Sequence, residues 1–173
     1  MLTDKQKGLT RAEIIIGVFA FVLLLGLSLP SFLEIVRNTQ LKDLGDKMIV
    51  DFELAQTESV MRNESLFISA SASDASWCYG LSVGKACDCT QVNSCQLDSI
   101  NTTVQSDDYS DLSVVTSSTV LRLPLEFKPS GVVDASGYFE VVNSMGKKLG
   151  VKLNTKGVVD KCSDSAAWGY SSC

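Results

Sequence analysis

The sequence predicts an α+β chain: a long N-terminal helix packed on an antiparallel β-sheet domain. Three observations carry this expectation. From Ile14 to Leu33 there are twenty residues and no charged side chain. The apolar residues that follow recur at helical spacing, with no strong stop signal before Arg62. Later still come short segments rich in Val, Leu and Phe, divided by turn residues. A chain of 173 residues has room for one globular domain and one additional element, and too little for two ordinary domains.

The helix is taken first. A bilayer core of about 30 Å is crossed by about 20 apolar residues in α-helix, so the run Ile14 to Leu33 is long enough to span. A cleaved secretory signal would carry an apolar region of ~7–15 residues ending at a small-residue site. The run here is longer, and "LSLPSFLEIVRNTQ" leads from it straight into an amphipathic pattern. Lys5, Lys7 and Arg11 precede the run and Asp4 is the only acid before Glu13, which places the N-terminus in the cytoplasm and the rest outside. Beyond Pro30, the residues Leu41, Leu44, Met48, Phe52 and Ala55 form one apolar stripe. Lys42, Asp43, Asp46, Lys47, Asp51 and Glu53 fill the positions between. Pro30 predicts a kink, because it removes an i→i−4 hydrogen bond.

From about Ser65 the period shifts. "SLFISA" has the composition of a strand, and residues 71–111, rich in Ser, Asp, Thr, Asn and Cys, read as loop with short elements. Then "DLSVVT", "TVLRLPLEF", "GYFEVVN", "LGVKLN" and "GVVD" read as an antiparallel meander joined by turns such as "KPSG", "DASG" and "NTKG". The apolar face of that sheet needs a cover, and the stripe of the long helix supplies it.

All six cysteines, Cys78, Cys87, Cys89, Cys95, Cys162 and Cys173, lie beyond the apolar run. An even count in an exported domain predicts disulfides. A thiolate metal site is the rival, but the chain has no His, so no metal is expected. Cys78, Cys87, Cys89 and Cys95 allow three pairings and are expected to staple the loop 71–111. The net charge is −5, and beyond residue 62 eight Lys/Arg face twelve Asp/Glu. An acidic domain is a poor general binder of nucleic acid. With no His, no nucleophile elbow and no phosphate loop, neither an enzyme nor a cofactor is expected. Trp77 and Tyr79 flank Cys78, Trp168 and Tyr170 lie in the tail, and these aromatics read as core caps or contact surface.

The segment "KGLTRAEIII" resembles the leader junction of type IV pilins and pseudopilins. In that family a short basic leader ends in Gly, a dedicated peptidase cuts after it and methylates the new N-terminus, and the fifth mature residue is Glu. The resemblance implies a leader over residues 1–8, cleavage between Gly8 and Leu9, an N-methylated Leu9, and Glu13 at mature position five. Pro30 then falls at mature position 22, where pilins commonly carry a helix-kinking proline. Leu9 stands where Phe is usual, Arg11 where Leu is usual and Ala12 where Ile is common. "FELAQTESVMRNES" and "LEFKPSGVVDASGYFEVV" with "LGVKLNTKGVV" resemble the GspH/FimT group of minor pilins and pseudopilins. The fold implied is pilin-like. Residues 9–33 would be its transmembrane and assembly half-helix, 34–62 the amphipathic half, and 63–173 a disulfide-stapled β-sheet domain.

What the family implies for function follows from the acid. A carboxylate at the bilayer edge is costly without a partner, and cleavage creates one, the α-amino group of Leu9. In a filament the amine of one subunit meets Glu13 of its neighbour. The implied partners are major and minor pilins, the prepilin peptidase, an inner-membrane assembly platform, and the membrane before assembly. The implied location is the inner membrane as a single pass, then a pilus or a periplasmic pseudopilus. Cys162 and Cys173, enclosing ten residues, resemble the disulfide-bound C-terminal loop of many pilins; closing it contributes ~2–3 kcal/mol in the chain-entropy model. Some FimT-like pilins bind DNA through a Gly-Arg-x-Arg segment. Here Gly157 is followed by Val158, Val159 and Asp160, so only Lys147, Lys148 and Lys156 are left as candidate DNA contacts, and a solvated hairpin face is the plainer reading.

Overall fold

The computed structural model describes residues 10–73, 76–109, 111–115, 123–163 and 168–173, with backbone alone at 27–30 and 115. Two compact units divide the chain, residues 1–36 and residues 37–173. One helix, α1 (Arg11–Arg62), supplies the first unit's described residues beyond Thr10 and the first element of the second. It runs through position 30 without a break. Gly8 and Leu9 lie outside the described residues.

In the second unit α1 faces two antiparallel sheets. One has the order β5-β2-β1-β7, from β1 (Leu66–Ala72), β2 (Trp77–Val83), β5 (Val104–Gln105) and β7 (Leu125–Phe127). The other has the order β10-β9-β8-β6, from β6 (Leu112–Val115), β8 (Gly137–Asn143), β9 (Lys148–Leu153) and β10 (Val159–Cys162). A two-stranded ribbon, β3 (Gln96–Leu97) with β4 (Ile100–Asn101), sits in the cysteine-rich loop.

The stripe Leu41, Leu44, Met48, Phe52 and Ala55 is fully buried, as its spacing requires. It packs with Leu66 and Ile68 of β1, Tyr79 and Leu81 of β2, Leu125 and Phe127 of β7, Phe139 and Val141 of β8, and Leu149, Val151 and Leu153 of β9 in a single core. Gly45 lets α1 approach β9: a β-carbon there would lie 2.5 Å from Leu149 Cδ2.

Two expectations from the sequence need correction. The expected single meander is divided between two sheets. The flank of β8 away from β9 is taken by β6, with Val114 opposite Val141. β7 instead pairs β1, with Leu66 opposite Phe127 and Ile68 opposite Leu125. Residues 119–122 of the expected strand "TVLRLPLEF" lie outside the described residues. The second correction is β2, a seven-residue strand inside the segment expected as loop. It is buried on both faces: Tyr79 and Leu81 face the core, while Cys78, Gly80 and Ser82 face the cysteine-rich loop, with Gly80 directly beneath Cys95. A strand covered on both sides loses the alternation that would reveal it.

Candidate assembly site

The described part of the first unit is Thr10 and a helix whose apolar side chains stand exposed. Fourteen large apolar side chains between Ile14 and Val36 stand exposed, on every side of the helix. A helix apolar all round belongs in a bilayer or inside an assembly. At about 1.5–3 kcal/mol per side chain left in water, the total exceeds the ~5–15 kcal/mol that holds a domain folded. The helix is long and apolar enough to cross a membrane.

Glu13 heads this helix with a reciprocal cap. The backbone N–H of Thr10 donates to Glu13 Oε2 at 2.9 Å, and Thr10 Oγ1 donates to the same oxygen at 3.0 Å. In return the N–H of Glu13 donates to Thr10 Oγ1 at 3.3 Å. This is a capping box, with Thr at the cap and Glu three residues on; it satisfies first-turn donors and sets a negative charge at the positive end of the helix dipole. The sequence carries the signal for this cap as "TRAE", Thr10 to Glu13. Glu13 therefore has a local partner whether or not a neighbouring chain supplies an amine. Pro30 lies inside α1, its side chain outside the described residues.

In the second unit polar contacts fasten α1 to different elements. Arg37 pairs with Asp111 at 2.8 Å, and Asn143 donates to Asn38 at 3.3 Å. Lys42 lies 4.8 Å from the ring centroid of Trp168. Asp46 pairs with Lys161 of β10. Burial would lower the Lys161 pKa, but the Asp46 carboxylate and Tyr170 outweigh it and hold the ammonium above its ordinary value. Asp51, 4% exposed, accepts from the Tyr79 hydroxyl at 2.8 Å and from Lys47 at 2.5 Å. Burial, and then the Asp51 charge, push the Tyr79 pKa well up, so the phenol keeps the proton it donates. At the end of α1, Arg62 grips both oxygens of Asp98, at 2.8 and 2.5 Å, and Glu58 at 2.6 Å. Hydrogen bonding to Arg62 holds the Asp98 carboxyl below its usual range.

The cysteines form three disulfides. Cys78–Cys89 and Cys87–Cys95 interleave: the first ties the loop to the outer face of β2 and the second closes the loop on itself, with Cys95 packed over Gly80. Cys162–Cys173 closes the C-terminal loop. It lies over Gly150, where a β-carbon would come within 2.7 Å of Cys173 Sγ and 2.8 Å of Cys162 Sγ. Trp77 is buried, with Nε1 donating to the Leu112 carbonyl at 2.8 Å, whereas Trp168 is half-buried in the tail.

The three candidate lysines do not converge. Lys147 and Lys148 lie at the start of β9 and Lys156 beyond its end, roughly 20 Å away at the rise of a six-residue strand. Lys148 pairs with the buried Glu140 at 2.8 Å. Among the described residues no cluster of His, Cys, Asp or Glu is placed to hold a metal ion.

Comparison with known proteins places this architecture. The minor pseudopilin EpsH from the type 2 secretion system of Vibrio cholerae has a similar structure, with a TM-score of 0.52 over 72% of this chain and 97% of that one, at 10% sequence identity. That likeness concerns the fold. No curated protein matches the chain in sequence. Residues 45–157 match the family model described as type II transport protein GspH, which spans the last third of α1, the strands β1 to β9 and the disulfide-tied loop. The chain belongs to the GspH family of minor pilins and pseudopilins.

Proposed function

We propose that the chain is a minor pilin, cut by prepilin peptidase between Gly8 and Leu9 and built into a type IV pilus, where it serves initiation or the tip. One observation carries this reading: a family-typical domain shares a helix with an exposed apolar segment headed by Glu13. Residues 1–8 are the leader, 9–33 the transmembrane and assembly half-helix, 34–62 the amphipathic half and 63–173 the exported domain. Before assembly residues 9–33 span the inner membrane with the N-terminus inside. Major and minor pilins then replace lipid around the helix, with the assembly platform as intermediary. Glu13 receives the methylated amine of a neighbour's Leu9, and the protein acts structurally, not as an enzyme.

The second reading is a pseudopilin of a type II secretion system, favoured by the family description and by the source of the EpsH structure. DNA uptake has less support, because Lys148 is engaged by Glu140 and Lys156 stands apart from it. The test is mass spectrometry on filaments sheared from cells. A methylated peptide beginning at Leu9 in that fraction supports the pilus reading. Cleavage at Leu9 without surface filaments, together with lost exoprotein secretion on deletion, supports the pseudopilin. An intact Met1 peptide confined to membranes sinks both.

A further inference from the structure

A cleft of about 370 Å³ lies beside the Cys78–Cys89 disulfide. Ser71 of β1, Cys78 of β2 and Gln105 of β5 stand abreast in register and line it together. The rest of the polar lining comes from three other places: Ser73 and Ser76 where β1 turns into β2, Thr90 in the disulfide-tied loop, and Ser106 with Asp107 just after β5. Much of this wall is held in place. Cys78 and Cys89 are buried and bonded to each other. Ser73 Oγ donates to the Ser76 carbonyl at 3.1 Å, and Thr90 Oγ1 to Asp88 Oδ1 at 2.7 Å. Trp77, also in the lining, is fixed by its bond to the Leu112 carbonyl at 2.8 Å. A cleft formed in advance loses little freedom when it is filled. Ser71, Ser106 and Asp107, in contrast, make no side-chain hydrogen bond among the described residues, and their polar atoms are left for solvent or a ligand.

Five hydroxyls, one carboxamide and one carboxylate line the cleft, and no Lys or Arg is among its described lining residues. That set selects a ligand by exclusion. An apolar ligand would strip water from the hydroxyls and return no hydrogen bond. An anion would meet Asp107 with no cation to balance it. A lone ammonium would pair with Asp107 and leave the hydroxyls as they were. At about 30 Å³ per molecule the cleft has room for roughly twelve waters. Displacing ordered water gains affinity only where the ligand reproduces its hydrogen bonds. A neutral saccharide does so: each of its hydroxyls both donates and accepts, as water does, and two neighbouring hydroxyls can donate to one carboxylate.

We infer that this cleft, between the β1–β2 turn, the disulfide-tied loop and Asp107, binds a neutral saccharide. Asp107 accepts from a pair of sugar hydroxyls, and the serine and threonine hydroxyls bond the remainder of the ring. The inference does not rest on the assembly reading, and its failure would leave that reading untouched. Three disulfides place the domain in an oxidising compartment, where both cell-wall glycan and exported polysaccharide are sources of this chemistry.

The test is equilibrium dialysis of the full chain, held in a detergent without a sugar headgroup, against two radiolabelled probes. One is a β-linked N-acetylglucosamine trimer and the other a β-linked glucose trimer. Saturable binding of either, with a Kd of about 1 mM or below, is the expected result; the first probe points to cell-wall glycan and the second to a plain polysaccharide. Asp107→Asn should weaken that binding about ten-fold or more, because the carboxylate is the strongest acceptor in the cleft. Ser71→Leu, which fills the cleft from β1, should abolish it. Both positions are exposed, so thermal unfolding like the parent's separates loss of binding from loss of fold. Glu53→Gln, an exposed acid of α1 outside the cleft, should change nothing. Added salt should hardly alter the affinity, since the ligand carries no charge. No saturable binding of either trimer, binding that survives both cleft variants, or tighter binding of a lysine trimer or a galacturonic acid trimer overturns the inference.

Discussion

Replacing Tyr79 by Phe tests how α1 is held to the sheets. The hydroxyl of Tyr79 is one of two donors to Asp51, a carboxylate 4% exposed. A hydrogen bond to a charged group contributes ~1.5–3 kcal/mol, and its loss here leaves a buried carboxylate oxygen short of a donor. Lys47 still reaches the other oxygen, but its side chain is 48% exposed and gives little more when the tyrosine is gone. Tyr79→Phe should therefore cost about 2 kcal/mol. For a unit of this size that is a fall in Tm of roughly 6–10 °C. Thermal and urea unfolding of the detergent-solubilised chain, disulfides intact, give the value. Asp51→Leu alone strands the Tyr79 hydroxyl. The double variant Asp51→Leu with Tyr79→Phe strands neither partner and should lose clearly less than the sum of the two single losses. A Tyr79→Phe variant within 0.5 kcal/mol of the parent, roughly the scatter of a neutral surface change, or strictly additive single losses, would refute the reasoning.

The same pair sets a pH dependence. The folded pKa of Tyr79 lies above the unfolded value of about 10. Below that pH both states keep the proton and the contribution is whole. Above it the unfolded chain releases the proton first, so stability falls as pH rises. The alkaline fall should be shallower in Tyr79→Phe.

Three further outcomes are expected. Gly150→Ala pushes a methyl into Cys162 Sγ and Cys173 Sγ and should cost about 1–3 kcal/mol by overpacking, whereas Gly17→Ala, with nothing within 4 Å of the added carbon, should not destabilise; thermal unfolding separates them. Asp98 is held low by Arg62, so the contact that ties the loop to α1 is whole above the unfolded carboxyl pKa of about 4 and is lost as pH falls through the lower folded value. Hydrogen exchange at residues 95–101 should rise over that acid range, and Asp98→Asn should remove the dependence. Thr10→Val removes the hydroxyl half of the cap at Glu13, worth about 1 kcal/mol; hydrogen exchange should show fraying of the first turn, and Thr10→Ser should prevent it.

Local periodicity was the most legible part. The stripe Leu41, Leu44, Met48, Phe52 and Ala55 could be read directly, because one buried face against a charged one leaves a 3.6-residue signature. The uncharged run before it was as plain. Long-range pairing was not legible. Nothing in "LEF" says that Leu125 pairs with Ile68 and not with β8; that depends on β6 having taken the flank of β8. β2 was hidden because the disulfide-tied loop buries its outer face, so serine, glycine and cysteine stand where solvent-facing residues would mark a strand. At the candidate site, the acid and the apolar run were visible as a pattern. The cap from Thr10 is equally legible, since Thr three residues before Glu at a helix start is a capping-box spacing.

The polar contacts along residues 37–62 explain something that apolar packing cannot. Burial of Leu44 or Met48 is favourable in proportion to area and is non-directional. A helix with a smooth apolar stripe could slide by a turn along the sheets at small cost. Arg37, Asn38, Asp46, Asp51, Gln56, Ser59 and Arg62 bond six different parts of the fold, Gln56 and Ser59 sharing the turn 128–132, and a shift of one turn would break all of these together. Several are exposed ion pairs worth ~1 kcal/mol or less individually. Their joint effect is to select one register out of several of similar apolar energy, a role polar groups fill in other helix packings. A subunit whose helix must align with those of its neighbours needs that register fixed before assembly. The link between Asp51 and Tyr79 is the most buried of these contacts, so its removal should loosen register as well as stability: in Tyr79→Phe, hydrogen exchange should rise along residues 47–55 before the sheets unfold.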